Sequence, residues 1–256
     1  MTQIAGLFLL GGHDLEMLTI RDVLDAHGCE YADHRLRWDN ARLSSYRDEI
    51  ARFERENASG CIYGIELEND LATTPECYRS IDHHNVQSKA PSALEQVLSL
   101  LDIPMNREHS LIDANDKRYI PGMLAMGATD EEIRRIRCAD RRAQGVTEED
   151  EILAEKALAE NLSRIGDLIV VRALNSRFSP ICDRLYPYRS LLIYTAAEWM
   201  FYGDGAQQIR ELFREEYHKG KIFYGGGPNG YVGAKAFLYT EPEICEMIKK
   251  IEQKYV

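Results

Sequence analysis

The 256-residue sequence contains no apolar run long enough to cross a bilayer. The longest runs, Ile4–Leu10 and Leu168–Val171, are short and are flanked by glycine or charge. No basic region precedes the first run and no small-residue cleavage site follows it, so we expect a buried first strand rather than a signal peptide. These absences predict a soluble, cytoplasmic protein with no membrane partner.

Paired cysteine motifs are also absent. The six cysteines are scattered, and no two of them form a Cys-x-x-Cys pair. This pattern argues against a zinc knuckle or a dithiol redox motif and favours thiols that stay reduced in the cytoplasm.

An excess of basic residues, the usual mark of a protein that binds long nucleic acids, is missing. Lys and Arg number 31 against 42 Asp and Glu, which gives a formal net charge of −11. A protein that tracks nucleic acid normally carries a basic stripe. The charge therefore favours a small phosphorylated ligand over long nucleic acid.

Apolar segments with strand and helix spacing alternate along the chain, with no internal repeat and no low-complexity tract. This alternation predicts an α/β fold with a mostly parallel sheet in residues 1–150. Residues 151–256 are predicted to contain a helical linker and a second, smaller α/β domain. Within this pattern, we expect a strand end at Leu111–Ile112, one strand over residues 191–201, one helix over residues 147–165 and an edge strand over residues 235–239.

The sequence Asp82-His83-His84 follows a short predicted strand that ends at Ile81. Imidazole binds divalent metals, and an adjacent carboxylate can fix the tautomer of the ring. A second imidazole beside it can contact a phosphate. Taken alone, the tripeptide fits an ordinary loop equally well.

Other acidic residues follow predicted strands at the same edge of the sheet. Asp14 and Glu16 follow the first strand and its Gly11-Gly12 pair, and Glu66 follows a later strand. For Asp14, an N-cap of the next helix is the alternative interpretation. Asp113 or Asp116 would complete the set. Two divalent ions roughly 3.5–4 Å apart need such carboxylates together with imidazole.

In this combination the chain resembles the DHH phosphoesterases, a family with acidic motifs at successive strand ends, an Asp-His-His motif and a C-terminal glycine loop. The resemblance implies a phosphoesterase with two bound ions of Mn²⁺ or Mg²⁺. It implies the following metal ligands: Asp14, Glu16, Glu66, His83 and Asp116. Asp82 and His84 would be catalytic residues, Asp82 by supporting the ligands and His84 by contacting phosphate.

The C-terminal glycine run is the second part of the resemblance. Backbone N–H groups without side chains can approach a phosphate closely, although a tight turn between strands is the alternative. The substrate-binding residues that this loop would supply are Gly225, Gly226, Gly227 and Asn229. Arg177, one of several arginines near the start of the second domain, is a further candidate because guanidinium binds phosphate through two hydrogen bonds.

Three positions depart from the family pattern: Glu16 and Glu66 stand where aspartate is usual, and Asn229 where histidine is usual. Each glutamate lengthens the arm by about 1.5 Å, which changes the geometry that a metal meets. The predicted function is hydrolysis of a small phosphoester such as a nucleotide or short oligonucleotide. The alternatives are a catalytically weakened nucleotide- or phosphate-binding regulatory protein and an inorganic pyrophosphatase or polyphosphatase. Whether the chain forms a homodimer is left open.

Overall fold

The computed structural model describes residues 6–38, 40–57, 59–83, 90–227 and 230–255. The chain divides into two units, residues 1–145 and 146–256. The predicted boundary at 150/151 falls in the first turn of the helix that begins the second unit.

The first unit contains a parallel four-stranded sheet in the order β2-β1-β3-β4. Every residue of β1 is buried, which is why the first apolar run lacks the alternation of a half-exposed strand. The strands are β1 (Gly6–Leu10), β2 (Glu30–Asp33), β3 (Cys61–Ile65) and β4 (Tyr78–Ile81). The predicted α/β fold with a parallel sheet is confirmed.

Helices connect these strands and complete the first unit. They are α1 (Leu15–Ala26), a 3-10 turn (Leu43–Tyr46) that leads into α2 (Arg47–Glu56), α3 (Ala93–Leu100), α4 (Arg107–Ala125) and α5 (Asp130–Ala143). Ser92 caps α3 through its hydroxyl, which accepts a hydrogen bond from the Glu95 N–H.

The prediction of a strand end at Leu111–Ile112 is wrong, because both residues lie inside α4. An Asn106 capping box starts this helix, and the buried Leu111, Ile112 and Asn115 follow helical spacing. A short apolar pair cannot by itself distinguish a strand from the buried face of a helix. The α4 helix breaks at Arg118 and Tyr119, just before Pro121.

The second unit is built on a six-stranded mixed sheet in the order β5-β6-β7-β8-β10-β9, in which β6 and β7 pair in parallel. Its strands are β5 (Leu162–Ile165), β6 (Leu168–Arg172), β7 (Ser190–Tyr194), β8 (Trp199–Gly203), β9 (Ile222–Gly225) and β10 (Tyr231–Ala234). Its helices are α6 (Glu148–Asn161), α7 (Ser179–Leu185), α8 (Ala206–Leu212), α9 (Arg214–His218) and α10 (Glu241–Glu252).

Three predicted elements of the second unit are wrong in detail. Residues 191–201 contain a turn, in which the Thr195 N–H bonds the Glu198 carbonyl, so β7 and β8 form an antiparallel hairpin. The last strand is Tyr231–Ala234 rather than residues 235–239. The helix predicted over residues 147–165 ends at Asn161, since residues 162–165 pair with β6. In each case sheet pairing decides the boundary.

Among the residues described, no helix combines the length and the apolar character that crossing a bilayer requires.

Candidate metal centre

Three carboxylates of the first unit converge on one atom, the Nε2 of His83, which makes a cluster of four residues. This nitrogen lies 2.8 Å from Asp116 Oδ2, 3.1 Å from Glu66 Oε1 and 3.9 Å from Glu16 Oε2. Glu66 follows β3, and His83 follows β4 after one residue. Glu16 is in the first turn of α1, and Asp116 is in the middle of α4. The parallel sheet therefore supplies two of the four residues directly from its carboxyl edge.

The backbone at Glu66 has an unusual conformation. Its φ is +51°, in the left-handed region that non-glycine residues seldom adopt. Its N–H donates to the Ile81 carbonyl at 2.8 Å, which extends the pairing of β3 with β4 by one residue. Such a conformation costs on the order of 1 kcal/mol and persists where the surrounding structure imposes it. Here it directs the Glu66 carboxylate towards His83.

Glu16 is buried and only half satisfied. Its Oε1 accepts a hydrogen bond from the Leu94 N–H at 2.9 Å, whereas its buried Oε2 has no hydrogen-bond partner in the described part of the chain. Burial raises the pKa of Glu16 well above its usual value, and the charges of Asp116 and Glu66 raise it further. An anionic oxygen held in this way is suited to a cation.

The pKa of His83 is raised to about 10, first by hydrogen bonding to Asp116 and then by hydrogen bonding to Glu66, while burial opposes the shift. Even with a protonated imidazole, three carboxylates outnumber the single positive charge. Ligand atoms of Glu16, Glu66 and His83 lie within 4.8 Å of one another, which is close enough for one ion to contact all three. The donor set of carboxylate oxygens and one imidazole suits Mn²⁺ or Mg²⁺, so these residues fit a divalent metal.

Asp14 serves as the N-cap of α1, the alternative that the sequence left open. Its Oδ1 accepts a hydrogen bond from the Met17 N–H at 2.9 Å. Burial raises the pKa of Asp14 to about 7, and the charges of Glu66, Asp116 and Asp140 add to this shift. Asp14 is therefore electrostatically linked to the cluster, and its role as a metal ligand stays a prediction.

Of the two candidates for the fourth acidic position, Asp116 is the one that reaches His83. Asp113 instead forms an ion pair with Lys117 at 2.8 Å, one helical turn further along α4. The expectation that a strand end supplies this carboxylate is wrong, since both residues lie on α4.

The two predicted catalytic residues are only partly described. Asp82 is half-buried, and its carbonyl accepts a hydrogen bond from Gln96 Nε2 at 3.3 Å. His84 lies outside the described residues, so its predicted contact with phosphate stays a prediction.

The predicted substrate-binding residues belong to the second unit. Gly225 ends β9, and Gly226 and Gly227, with φ values of 74° and 72°, begin the connection to the antiparallel β10. Asn229 lies outside the described residues. Arg177 is exposed, and its N–H donates to the Asn175 side chain at 3.1 Å. The glycine run therefore leads from β9 to its antiparallel partner β10, as the alternative of a turn between strands implies. Binding of substrate there stays a prediction.

A buried polar network, which was not predicted from the sequence, joins α5 to the helices of the cluster. Arg137 Nη1 donates to Asn115 Oδ1 at 2.9 Å and to Asp140 Oδ2 at 2.6 Å. The Leu15 N–H contacts Asp140 Oδ1 at 3.4 Å. The network thus connects α5 to Leu15, which stands between Asp14 and Glu16, and to Asn115, which precedes Asp116. A signal was present, because Arg137 and Asp140 continue the buried stripe of α5 that Ile133 and Ile136 begin.

No protein-family model matches the sequence, and no curated protein sequence matches it. Solved structures do resemble the chain. A pGpG-specific phosphodiesterase, PggH from Vibrio cholerae, is 12% identical, with a TM-score of 0.50 and 99% coverage of both chains. The DHH domain of a protein described as a member of a ribosomal protein family is 11% identical, with a TM-score of 0.51, and the match covers 97% of this chain and 86% of that one.

RecJ from Thermus thermophilus, in complex with Mn²⁺, is 13% identical, with a TM-score of 0.49. The match covers 99% of this chain but only 53% of RecJ, so the chain spans about half the length of that protein.

Proposed function

Because the chain has the fold of DHH-domain proteins, we propose that it is a divalent-metal-dependent phosphoesterase that hydrolyses a small phosphoester such as a nucleotide or short oligonucleotide. The observation that carries this proposal is the convergence of Glu16, Glu66 and Asp116 on His83 Nε2. Three buried or half-buried carboxylates around one imidazole are costly without a cation. The similarity to PggH, whose name describes a pGpG-specific phosphodiesterase, supports a substrate of dinucleotide size.

In this function, Mn²⁺ or Mg²⁺ would be held by Glu16, Glu66, His83 and Asp116. We include in the proposal Asp14 as a further ligand and a second bound ion. A bound divalent ion would act as a Lewis acid on a phosphoryl oxygen and would make water a stronger nucleophile. The protein's own contribution is to hold the ligand atoms in place: Glu66 through its pairing with Ile81, and Glu16 through its bond from Leu94.

The proposed roles of the Asp82-His83-His84 residues follow from the resemblance. Asp82 would support the imidazole ligands, and His84 would donate a hydrogen bond to a phosphoryl oxygen of the substrate. Gly225–Gly227, Asn229 and Arg177 would bind the substrate from the second unit. These roles predict that the protein turns over phosphoesters and does not merely bind them.

A binding or regulatory protein is the second candidate, and one observation favours it. Glu16 and Glu66 replace the shorter aspartates, and one oxygen of Glu16 is already committed to the Leu94 N–H. This candidate would be supported if the protein bound metal but hydrolysed none of four kinds of substrate: dinucleotides, cyclic dinucleotides, nucleoside bisphosphates and pyrophosphate. Turnover of pyrophosphate alone would instead support the pyrophosphatase alternative.

The test compares two carboxylates on one helix. Asp116→Asn removes a carboxylate 2.8 Å from His83, and Asp113→Asn removes one that pairs with Lys117 on the same helix. We expect Asp116→Asn to weaken Mn²⁺ binding in calorimetric titrations at least tenfold and to abolish turnover of the panel. Asp113→Asn should retain both. Equal behaviour of the two variants would remove the basis for the proposed metal centre.

A further inference from the structure

Trp38 is an exposed tryptophan in the segment that follows β2. Its side chain is 49% exposed, whereas the other tryptophan of the chain, Trp199, is completely buried. A single exposed apolar side chain is common on protein surfaces, so exposure alone does not indicate a function. The contacts and the neighbours of Trp38 indicate one.

The indole of Trp38 lies directly on the backbone of Gly12. A Cβ atom at Gly12 would be 2.3 Å from Cζ2 and 2.4 Å from Cη2 of the indole, so a side chain there would displace the indole. At the preceding Gly11, a Cβ would lie 2.4 Å from the carbonyl oxygens of Ile65 and Glu66. The glycine pair therefore allows one loop to contact Glu66 on one side and the indole on the other. Two residues later the same loop reaches Asp14, so Trp38 contacts the loop that leads to Asp14 and Glu16.

The segment that carries Trp38 is anchored to the end of β1. The His34 N–H donates to the Tyr46 hydroxyl at 3.1 Å, and that hydroxyl donates to the Leu10 carbonyl at 2.5 Å. Tyr46 is completely buried, and its ring stacks with that of His34 at 4.3 Å between centroids. The Arg35 N–H donates to Asp33 Oδ1 at 2.7 Å. These bonds hold the backbone at His34 and Arg35, three residues before Trp38.

The same segment carries two arginines, which stand between Asp33 and Asp39 in the sequence. Arg35 and Arg37 are exposed there, and the chain as a whole carries −11. Arg35 forms no ion pair with any residue in the described ranges 6–38, 40–57, 59–83, 90–227 and 230–255. An aromatic face beside guanidinium groups is the combination that binds a nucleobase together with its phosphate.

We propose that Trp38 stacks on a nucleobase of the substrate and that Arg35 binds a phosphate of the same nucleotide. This inference rests on the proposed phosphoesterase function and narrows its substrate class to compounds with a base, which excludes pyrophosphate and polyphosphate as preferred substrates. It places a base-binding subsite in the first unit, in addition to the predicted glycine loop of the second.

Intrinsic fluorescence tests the base contact without relying on turnover, because Trp199 is shielded and Trp38 is exposed. We expect AMP, added with Mg²⁺, to quench the emission of the wild-type protein and ribose 5-phosphate to leave it unchanged. Trp38→Phe should abolish the quenching but keep the affinity for AMP measured by calorimetry, since phenylalanine still stacks. Trp38→Ala should weaken that affinity on the order of tenfold or more. Phe237→Ala, which removes another exposed aromatic ring, is the control and should have no effect.

Turnover then separates failure of this inference from failure of the proposed function. We expect Trp38→Ala to lower kcat/KM for a dinucleotide at least tenfold while leaving that for a base-free phosphodiester, such as glycerophosphoglycerol, within twofold. An unchanged kcat/KM for the dinucleotide, or equal quenching by AMP and ribose 5-phosphate, overturns the role of Trp38 and leaves the phosphoesterase intact. Wild-type protein that hydrolyses no phosphoester overturns the proposed function, whereas the fluorescence titration still decides whether Trp38 contacts a base.

Discussion

Replacement of Glu16 by glutamine distinguishes a metal ligand from an ordinary ion-pair partner of His83. Glutamine keeps the shape of the side chain and the acceptor for the Leu94 N–H, and it removes the charge on Oε2. If Glu16 were chiefly a partner of His83, its removal would destabilise the protein, because breaking a buried pair costs about 3–5 kcal/mol. If Glu16 is chiefly a metal ligand, its removal should relieve repulsion in the metal-free protein.

The electrostatics favour the second case. At 3.9 Å, attraction between Glu16 Oε2 and a protonated His83 is worth about 4 kcal/mol at an effective dielectric constant of 20. Burial opposes the charge on Glu16, as do the carboxylates of Asp116 and Glu66. Since the pKa of Glu16 is raised, the opposing contributions exceed the attraction. The ionised Glu16 is therefore a net cost to the metal-free fold.

We expect Glu16→Gln to leave the melting temperature of the metal-free protein at pH 8 unchanged or higher. For the wild-type protein, Mn²⁺ at one hundred times its Kd adds about 2.7 kcal/mol, which corresponds to a rise of roughly 5–10 °C in Tm. In the variant, most of this rise should disappear. Scanning calorimetry with and without Mn²⁺ measures both quantities. A metal-free Tm lowered by several degrees, or a full Mn²⁺-dependent rise in the variant, would refute the reasoning.

Two further substitutions test the support of the cluster. Gly11→Ala places a methyl group 2.4 Å from the carbonyl oxygen of Glu66, which is backbone and cannot rotate away. We therefore expect the free energy of unfolding in urea to fall by roughly 2–4 kcal/mol. Unchanged stability would show that the loop lies elsewhere. Arg137→Ala leaves the buried carboxylate of Asp140 without its partner at 2.6 Å, so we expect the free energy of unfolding to fall by about 3–5 kcal/mol. The control is Arg134→Ala, at an exposed position of the same helix, which should cost less than about 0.5 kcal/mol. Similar losses for the two arginines would contradict the buried network.

Local sequence patterns predicted the first sheet well, since burial on both faces produces a continuous apolar run whatever surrounds it. The run before Gly11 became β1, and the short strand before Asp82 became β4. Residues that directly follow neighbouring parallel strands must share one edge, so the proximity of Glu66 and His83 was also predictable.

Contacts between segments far apart in the chain were decided only by the tertiary structure. The choice of Asp116 over Asp113 depends on which face of α4 meets His83, and two carboxylates three residues apart give no local signal of that. For Asp14, the same residue type fits an N-cap and a ligand, and only folding brings Glu66 and Asp140 close enough to raise its pKa.

By itself, then, the sequence determined the order of the strands and helices from β1 to α3, the polar residues at the sheet edge and the acidic balance of the chain, because each depends on neighbours a few residues away. The tertiary structure decided that the fourth carboxylate comes from a helix and that Trp38 lies on Gly12. These features depend on how separate elements pack, and steric fit between segments 26 residues apart, such as Gly12 and Trp38, leaves no periodic trace in the sequence.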